Sequence, residues 1–237
     1  LKFLISDIYN DQTGVENEQD AFNAFLNTLD NWDSFFRNKR EGLSAGAQRG
    51  LYGELFFLLN HILPNAETTS YALKSWRGHD RKHQDFELNN GNVEVKTTIQ
   101  KEHKQISINS EKQLDPKGLK QLYLYVLSMK AVNADENTLP KLVHDINQYL
   151  EDHNEADKIK FKIFLAKAGY ENIHEHKYLD VGYYVEDEGL YKIDDQEPYF
   201  PSIISLPVGV GNVKYTIVLS ACENWKVDLK ERVVTLI

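Results

Sequence analysis

The clearest pattern of apolar and polar residues lies at residues 84–98, on both sides of an Asn-Gly pair. Apolar side chains alternate with polar ones before the pair, at Phe86 and Leu88, and after it, at Val93 and Val95. Such alternation is typical of strands, and Asn-Gly between two strand-like runs indicates a tight turn because both residues tolerate positive φ. We therefore predict a β-hairpin that turns at Asn90-Gly91.

The position of the turn fixes the register of the predicted hairpin, because side chains alternate between the two faces of a strand. One face is then apolar, and the other carries three carboxylates and a lysine. The predicted partners are Leu88 with Val93, Glu87 with Glu94, Phe86 with Val95, and Asp85 with Lys96.

This polar face suggests a metal site. Carboxylates that converge on one point repel each other, and a hard divalent cation relieves the repulsion. A lysine beside them can hold a water molecule or stabilise developing negative charge. The alternative is that these side chains form the solvated face of an ordinary hairpin, which is the commoner origin of so short a pattern.

Helical spacing of apolar residues predicts two short helices at residues 18–38 and a long helix between Ser44 and Leu63. Ser44 is a suitable N-cap residue, and Pro64 ends the long helix. Glu54 is the one acidic residue within the apolar run of this helix. A buried carboxylate is costly unless it is paired or binds a metal. The alternative is that Glu54 lies on the solvent-facing stripe of the helix, near Gln48 and Arg49.

The remaining pattern predicts an α+β fold of the α/β/α type with a central mixed sheet. A polar linker near residues 133–138 divides a core at 1–132 from a C-terminal α+β lobe at 138–237. In the core we predict strands at 70–76, 105–109 and 119–129, the last of them central, and a short helix at 111–114 capped by Ser110. In the lobe we predict helices at 139–152 and 154–170 and strands at 176–194 and 213–219.

Composition narrows the class of protein. The 41% hydrophobic and 27% charged residues are ordinary for a soluble globular chain, and 237 residues are enough for a proper core. No apolar run is long enough for a transmembrane helix, so we expect a cytoplasmic protein. The single cysteine, Cys222, excludes an internal disulfide and a cysteine-built zinc site. Because the chain starts at Leu1 and its only methionine is Met129, we expect that its native start is missing.

The charge distribution keeps a nucleic-acid substrate open. A net charge of −9 argues against a general nucleic-acid binder. Residues 71–104, however, carry seven Lys or Arg against five Asp or Glu, and three of those acids are the hairpin carboxylates. A locally positive site on an acidic body is compatible with a phosphate-bearing substrate.

Several polar residues near the hairpin are candidates for substrate contacts. Arg77 and Lys82 lie in the basic loop before the hairpin and would bind the substrate. Gln113 would contact the site or a nucleic-acid backbone from the short helix, although a surface position is the commoner fate of such a glutamine. His79 and His83 are interpreted first as solvated loop residues, and Trp76 as a core anchor rather than a base-stacking platform.

The order of Glu54 on a helix, then Asp85, then Glu94-Val95-Lys96 on successive elements resembles the PD-(D/E)XK nuclease superfamily. More narrowly, the chain is similar to a bacterial family of PD-(D/E)XK motif proteins found near restriction and phage-defence genes. The matching segments are GLYGELFFL (50–58), WRG (76–78), QDFEL (84–88), VEVKTT (93–98), ISINSEKQLD (106–115), FPSI (200–203) and LPVGVGNVKYTI (206–217). Gln84 stands where the motif name has proline, which matters little because the chemistry needs the carboxylate.

The resemblance implies a restriction-endonuclease-like core and a role for each matching residue. Asp85 and Glu94 would bind Mg²⁺, which Mn²⁺ could replace, and the carbonyl of Val95 would complete the set. Lys96 would orient the attacking water and stabilise developing charge, and Glu54 would act through a water or a second metal.

The implied function is a Mg²⁺-dependent DNA endonuclease of bacterial restriction or phage defence. Its implied partners are DNA and either a second copy of the chain or other subunits of a defence system, with no membrane partner. The alternative is a non-catalytic or partner-activated DNA-binding subunit of such a complex. The acidic net charge and the lack of an evident DNA-reading domain favour that alternative.

Overall fold

The computed structural model describes residues 41–80, 84–100, 104–133, 136–193 and 213–237. The predicted helices at 18–38, the loop residues Lys82 and His83, and the FPSI segment lie outside the described residues. No helix within the described part of the chain is both long enough and apolar enough to span a membrane.

A five-stranded mixed sheet forms the centre of the fold, in the order β1-β2-β4-β5-β7. Strands β2 and β4 are parallel, and the other neighbours are antiparallel. The predicted α+β class and the predicted central position of the long apolar strand β4 are both confirmed. The strands are β1 (Phe86–Leu88), β2 (Gly91–Thr98), β4 (Leu122–Asn133), β5 (Val181–Ile193) and β7 (Lys226–Val227).

A second, two-stranded sheet covers one face of the main sheet. It pairs β3 (Gln105–Ile108) with β6 (Tyr215–Val218) in antiparallel fashion. The predicted strands in both segments are therefore confirmed, but β3 does not join the hairpin in the main sheet. The reason is burial, because Ile106, Ile108 and Ile217 pack in one cluster with the apolar side chains of β4 at Leu122, Leu124 and Val126.

The hairpin forms as predicted, but its register is shifted by two residues. Phe86 pairs with Val93 and Leu88 with Gly91, so the turn residues are Asn89 and Asn90. Among the described residues, positive φ occurs only at Asn137, Gly42, Gly118 and Gly169, so this turn does not use the positive φ that Asn-Gly permits. Gly91 is instead required for packing, since a Cβ there would lie 2.9 Å from Leu236 Cδ2. A shift of two keeps every side chain on its predicted face.

The long helix follows the prediction closely. Helix α1 (Ala45–Phe57) continues as a π-helix over Leu58–Ile62, and the Ser44 hydroxyl accepts a hydrogen bond from the amide of Ala47. Gly53 lets α1 approach the sheet, because a Cβ there would lie 2.4 Å from Thr97 Cγ2. This close contact places the next residue, Glu54, beside the hairpin.

The predicted strand at 70–76 is wrong, because this segment forms helix α2 (Thr69–Ser75). Its buried residues include Thr69, Ala72 and Leu73, and the buried Trp76 follows the helix. Their spacing of three and four residues is helical rather than alternating. The Thr68 hydroxyl caps the helix by accepting from the amide of Tyr71.

The second half of the chain contributes both to the helical layer and to the main sheet. The predicted helical pair is confirmed as α3 (Leu139–His153) and α4 (Glu155–Lys167), and a last helix, α5, covers Leu229–Leu236. Strand β5 pairs with β4 along nearly its whole length. The division of the chain into a core and a lobe near residue 133 stays a prediction.

A buried carboxylate joins α2 to α4. The side chain of Asp157 is 0% exposed, and it accepts hydrogen bonds from Thr69 Oγ1 at 2.7 Å, Asn154 Nδ2 at 2.9 Å and Lys160 Nζ at 2.6 Å. Burial raises the pKa of Asp157, but the hydrogen bonds from Lys160 and Thr69 outweigh it and hold the pKa below the ordinary Asp value. Asp157 therefore stabilises the fold in its ionised form.

We expect Asp157→Asn to lower the free energy of unfolding at neutral pH by about 1–3 kcal/mol, because an amide cannot accept the same charge-assisted hydrogen bonds. The pKa is lower in the folded chain than in the unfolded chain. The contribution is therefore complete above the ordinary Asp pKa and is lost as pH falls through the folded value. Urea unfolding of both proteins over a range of pH measures the difference.

Asp145→Asn is the matched control, because Asp145 pairs with Lys141 on the exposed side of α3. Such surface pairs contribute little. A difference between wild type and Asp157→Asn that stays constant into acid would contradict the assigned role.

Candidate active site

The hairpin and the loop before it fix the position of Asp85. The amides of Arg77 and Gly78 donate to the main-chain carbonyl of Asp85 at 2.6 and 3.2 Å. The amide of Val95 on β2 donates to Asp85 Oδ2 at 2.8 Å. The first carboxylate of the site is thereby held against the strand that carries Glu94 and Lys96.

Glu94 lies in the middle of β2 and is 0% exposed. Its Oε1 atom accepts hydrogen bonds from Lys96 Nζ and from Gln113 Nε2, the latter at 2.6 Å. Its Oε2 atom is also buried but has no hydrogen-bond partner. A buried carboxylate oxygen without a protein partner is costly, so this atom is available to accept a further ligand.

Glu54 reaches the site from α1 and is oriented by a tryptophan. The indole Nε1 of Trp76 donates to Glu54 Oε2 at 2.7 Å. Gly78 leaves room for this carboxylate, because a Cβ at that position would lie 2.1 Å from Glu54 Oε2. The solvent-stripe alternative for Glu54 is therefore wrong.

The electrostatics of the cluster reflect the repulsion between its acids. Burial, followed by the charge of Asp85, raises the pKa of Glu54 to about 8. Burial and the charge of Asp85 also raise the pKa of Glu94 well above the usual range. Burial lowers the pKa of Lys96, but the carboxylates around it outweigh that effect and raise it. The lysine is therefore a cation at neutral pH, facing acids that tend to hold protons.

The carboxylates fit a metal that keeps part of its water shell. Within the described ranges, no group of three His, Cys, Asp or Glu residues is arranged to hold an ion by itself. Mg²⁺, however, is usually bound by one or two carboxylates together with several waters. Asp85 and the unpartnered Oε2 of Glu94 offer that number of carboxylates, and both are oxygen donors that suit a hard cation.

Gln113 and Gln84 support the site from the side of the second sheet. The backbone amide of Asn109 donates to Gln113 Oε1 at 2.8 Å, which leaves the Gln113 amide group directed at Glu94. Gln84 Nε2 in turn donates to the carbonyls of Lys112 and Gln113 at 3.1 and 3.3 Å. The residue in the place of the motif proline therefore anchors the short helix that carries Gln113.

The other candidate residues lie around the cluster. Arg77 pairs with Glu87 at 3.3 Å and with Asp80 at 3.5 Å, so it lies next to the site without entering it. His79 is not a solvated loop residue, because it is buried and stacked on Phe164 at 3.9 Å between ring centroids. Burial lowers the pKa of His79 to about 4, so it is neutral at physiological pH.

The role of Trp76 was not evident from the sequence. It is a core anchor as expected, since it is 0% exposed, but it also donates to Glu54. The signal in the sequence that could have indicated this hydrogen bond is the indole N–H of the tryptophan, because a buried indole N–H almost always finds an acceptor.

Comparison with known proteins supports the family assignment. A family model described as "Putative PD-(D/E)XK family member, (DUF4420)" matches residues 2–220. A search of curated proteins and a search of solved structures each found no match.

We expect Glu54→Gln to stabilise the metal-free protein increasingly as pH rises. The pKa of Glu54 is higher in the folded chain than in the unfolded chain, so the wild type loses stability between the ordinary Glu pKa and about 8. Glutamine stays neutral and can still accept from Trp76. The gain at high pH should exceed about 1 kcal/mol, since one pKa unit corresponds to about 1.4 kcal/mol.

Urea unfolding in the presence of a chelator, from about pH 5 to about pH 9, measures this difference. Glu87→Gln is the control, because that side chain is 41% exposed and pairs with Arg77 rather than with an acid or lysine of the cluster. A stability difference between Glu54→Gln and wild type that does not change with pH would rule out a buried Glu54 of raised pKa.

Proposed function

Because the chain belongs to the PD-(D/E)XK family whose model it matches over residues 2–220, we propose that it is a divalent-metal-dependent nuclease that hydrolyses DNA. The observation that carries the proposal is the convergence of Asp85, Glu94, Lys96 and Glu54, from three elements, on one buried cluster. From the sequence resemblance we assign it to bacterial restriction or phage defence, and we keep the cytoplasm as its expected location.

Asp85 and Glu94 would hold Mg²⁺ or Mn²⁺, with the Val95 carbonyl as a further oxygen donor. When bound, such an ion acts as a Lewis acid toward a phosphoryl oxygen and lowers the pKa of water. Two features of the chain would favour binding of the ion. Glu94 Oε2 has no hydrogen bond, and the amide of Val95 fixes the position of Asp85.

Lys96 supplies the permanent positive charge of the site. Its ammonium group donates to Glu94 and lies within the field of Asp85 and Glu54. A buried cation at this position can donate to the attacking water or to a phosphate oxygen and stabilise the negative charge of the transition state. The side chain is only 14% exposed, so bulk water screens that charge weakly.

Glu54 is suited to accept a proton from the attacking water. A general base works best when its pKa lies near the operating pH, and the pKa of Glu54 is about 8. Trp76 opposes part of the rise in the pKa of Glu54, because its N–H donates to the carboxylate and stabilises the ionised form. We assign Trp76 and Gln113 as positioning residues that act through Glu54 and Glu94.

The surroundings of the site suit a polyanion. Arg77 lies beside Asp85, and Lys167 reaches the same loop through Asp80 at 2.9 Å. Together with Lys82 in the same basic segment, these side chains would bind backbone phosphates near the cluster. Such contacts position a strand and carry no sequence information by themselves.

We expect Asp85→Asn, Glu94→Gln and Lys96→Met each to lower the cleavage of plasmid DNA by about a hundredfold or more. The assay contains Mg²⁺ or Mn²⁺ and follows conversion of supercoiled DNA to nicked and linear forms. Glu87→Gln is the matched control, since it changes an exposed carboxylate of the same hairpin that pairs with Arg77 and lies outside the cluster.

Cleavage that survives all three substitutions would sink the assigned mechanism. DNA binding without any cleavage by the wild type, with either metal, would favour the non-catalytic DNA-binding subunit. Circular dichroism of every variant shows whether a loss reflects chemistry or unfolding.

Metal binding can be measured apart from cleavage. We expect Mn²⁺ to raise the midpoint of thermal unfolding of the wild type, because a ligand that binds only the folded state stabilises it by mass action. Asp85→Asn and Glu94→Gln should weaken Mn²⁺ binding by about tenfold or more, because each removes one of two charged ligands. Electron paramagnetic resonance of unbound Mn²⁺ gives the affinities, and equal affinity in wild type and both variants would contradict the ligand assignment.

A further inference from the structure

Gln84, the residue before Asp85, is a buried polar side chain whose hydrogen bonds reach other elements. It is only 7% exposed. Its Nε2 atom donates to the main-chain carbonyls of Lys112 and Gln113 at 3.1 and 3.3 Å. Its Oε1 atom accepts from Asn92 Nδ2 at 3.4 Å. The amide group thus links the start of the hairpin to strand β2 and to the short helix that carries Gln113.

These contacts close a ring of hydrogen bonds that begins and ends on β2. Asn92 and Glu94 lie two residues apart on this strand, so their side chains share one face. Asn92 donates to Gln84, and Gln84 donates to the carbonyl of Gln113. The side chain of Gln113 then returns to the strand and donates to Glu94 Oε1 at 2.6 Å. The short helix Glu111–Leu114 is therefore tied to β2 at two points.

Two further contacts hold the short helix, and Gln84 adds what they lack. Leu114 is 0% exposed and packs in the apolar cluster of the second sheet. The amide of Asn109 donates to Gln113 Oε1 and so orients that side chain. Both contacts lie on the side of the second sheet. Gln84 connects the main chain of the helix to the hairpin that carries the acids of the site.

We propose that Gln84 is a positioning residue of the metal site, which acts through Gln113 to hold Glu94 with its Oε2 atom free for the ion. The inference rests on the proposed metal-dependent function. Lys96 and Gln113 both donate to Glu94 Oε1, and this leaves Oε2 as the oxygen without a protein partner. Without Gln84 the short helix loses two hydrogen bonds to its main chain. Gln113 can then move away, and the carboxylate of Glu94 loses a contact that fixes its orientation.

The proline of the motif name could not have this role. A proline side chain has neither a donor nor an acceptor, whereas the amide of Gln84 uses both. The exchange leaves the carboxylate of Asp85 in place and adds a link to Glu94. The alternative is that Gln84 only satisfies two buried carbonyls and supports the fold.

A double-mutant cycle on Mn²⁺ affinity separates these two roles. We expect Gln113→Met to weaken Mn²⁺ binding by about tenfold, because Gln113 contacts a metal ligand, and Gln84→Met by about three- to tenfold, because Gln84 acts one contact further away. The double variant should bind Mn²⁺ as weakly as Gln113→Met alone. Electron paramagnetic resonance of unbound Mn²⁺ gives the affinities. Gln148→Met is the matched control, since Gln148 is an exposed residue of α3 that donates to Asp152.

The assigned role is overturned if Gln84→Met binds Mn²⁺ as the wild type does, or if the two effects add in the double variant. A purely structural role predicts a lower midpoint of thermal unfolding without a change in Mn²⁺ affinity. If Gln84→Met does not fold, Gln84→Ala replaces it, because water can fill the space and satisfy the two carbonyls. If neither variant folds, Gln84 is needed for the fold itself and the proposal is wrong.

Failure of this inference can be told apart from failure of the proposed function. A wild type that binds no Mn²⁺ contradicts the metal-dependent function and this inference with it. A wild type that binds Mn²⁺ but does not cleave DNA contradicts only the nuclease activity, and the cycle still decides the role of Gln84. Equal Mn²⁺ affinity in the wild type and Gln84→Met contradicts the role of Gln84 alone.

Discussion

Holding Glu54, Asp85 and Glu94 close together is the constraint on which the structure around the site depends. If all three carboxylates are ionised, the one lysine balances only part of their charge, so the cluster must bind protons or a cation. Two of the acids are fixed by directed hydrogen bonds, Asp85 from the amide of Val95 and Glu54 from the indole of Trp76. If the acids were held less firmly, their repulsion would move them apart and the arrangement of the cluster would be lost.

The apolar core supplies that resistance. Phe57 at the end of α1 packs edge-on against Phe86 at 5.1 Å between ring centroids and against Tyr125 at 4.6 Å. These contacts join the helix that carries Glu54 to the hairpin and to the central strand β4. On the other side, Asp157 joins the start of α2 to α4 through Thr69, and Trp76 at the other end of α2 begins the loop toward Asp85. The acids are thus held in place by contacts between residues that lie outside the cluster.

Features that depend on residues close together in the sequence could be predicted, and features that depend on distant residues could not. The faces of the hairpin were predictable because alternation depends on the strand alone. Its register was not, since Gly91 packs against Leu236, which lies more than a hundred residues later. The helical spacing at Thr69, Ala72 and Leu73 was present in the sequence but overshadowed by strand-forming neighbours. The partner of β3 could not be predicted, because it is set by burial over β4 and by a strand from the far end of the chain.

The same distinction applies to the site and to the distribution of charge. Asp85, Glu94 and Lys96 could be placed together because one hairpin carries them, whereas the position of Glu54 required the packing of α1 on β2. The hydrogen bond from Trp76 to Glu54 joins the end of α2, which was wrongly predicted as a strand, to α1, which was predicted correctly. The chain as a whole carries a net charge of −9, so its average field repels polyanions. The proposed nucleic-acid substrate would then approach only where lysine and arginine side chains gather, so the acidic charge of the chain would restrict its access to the cluster.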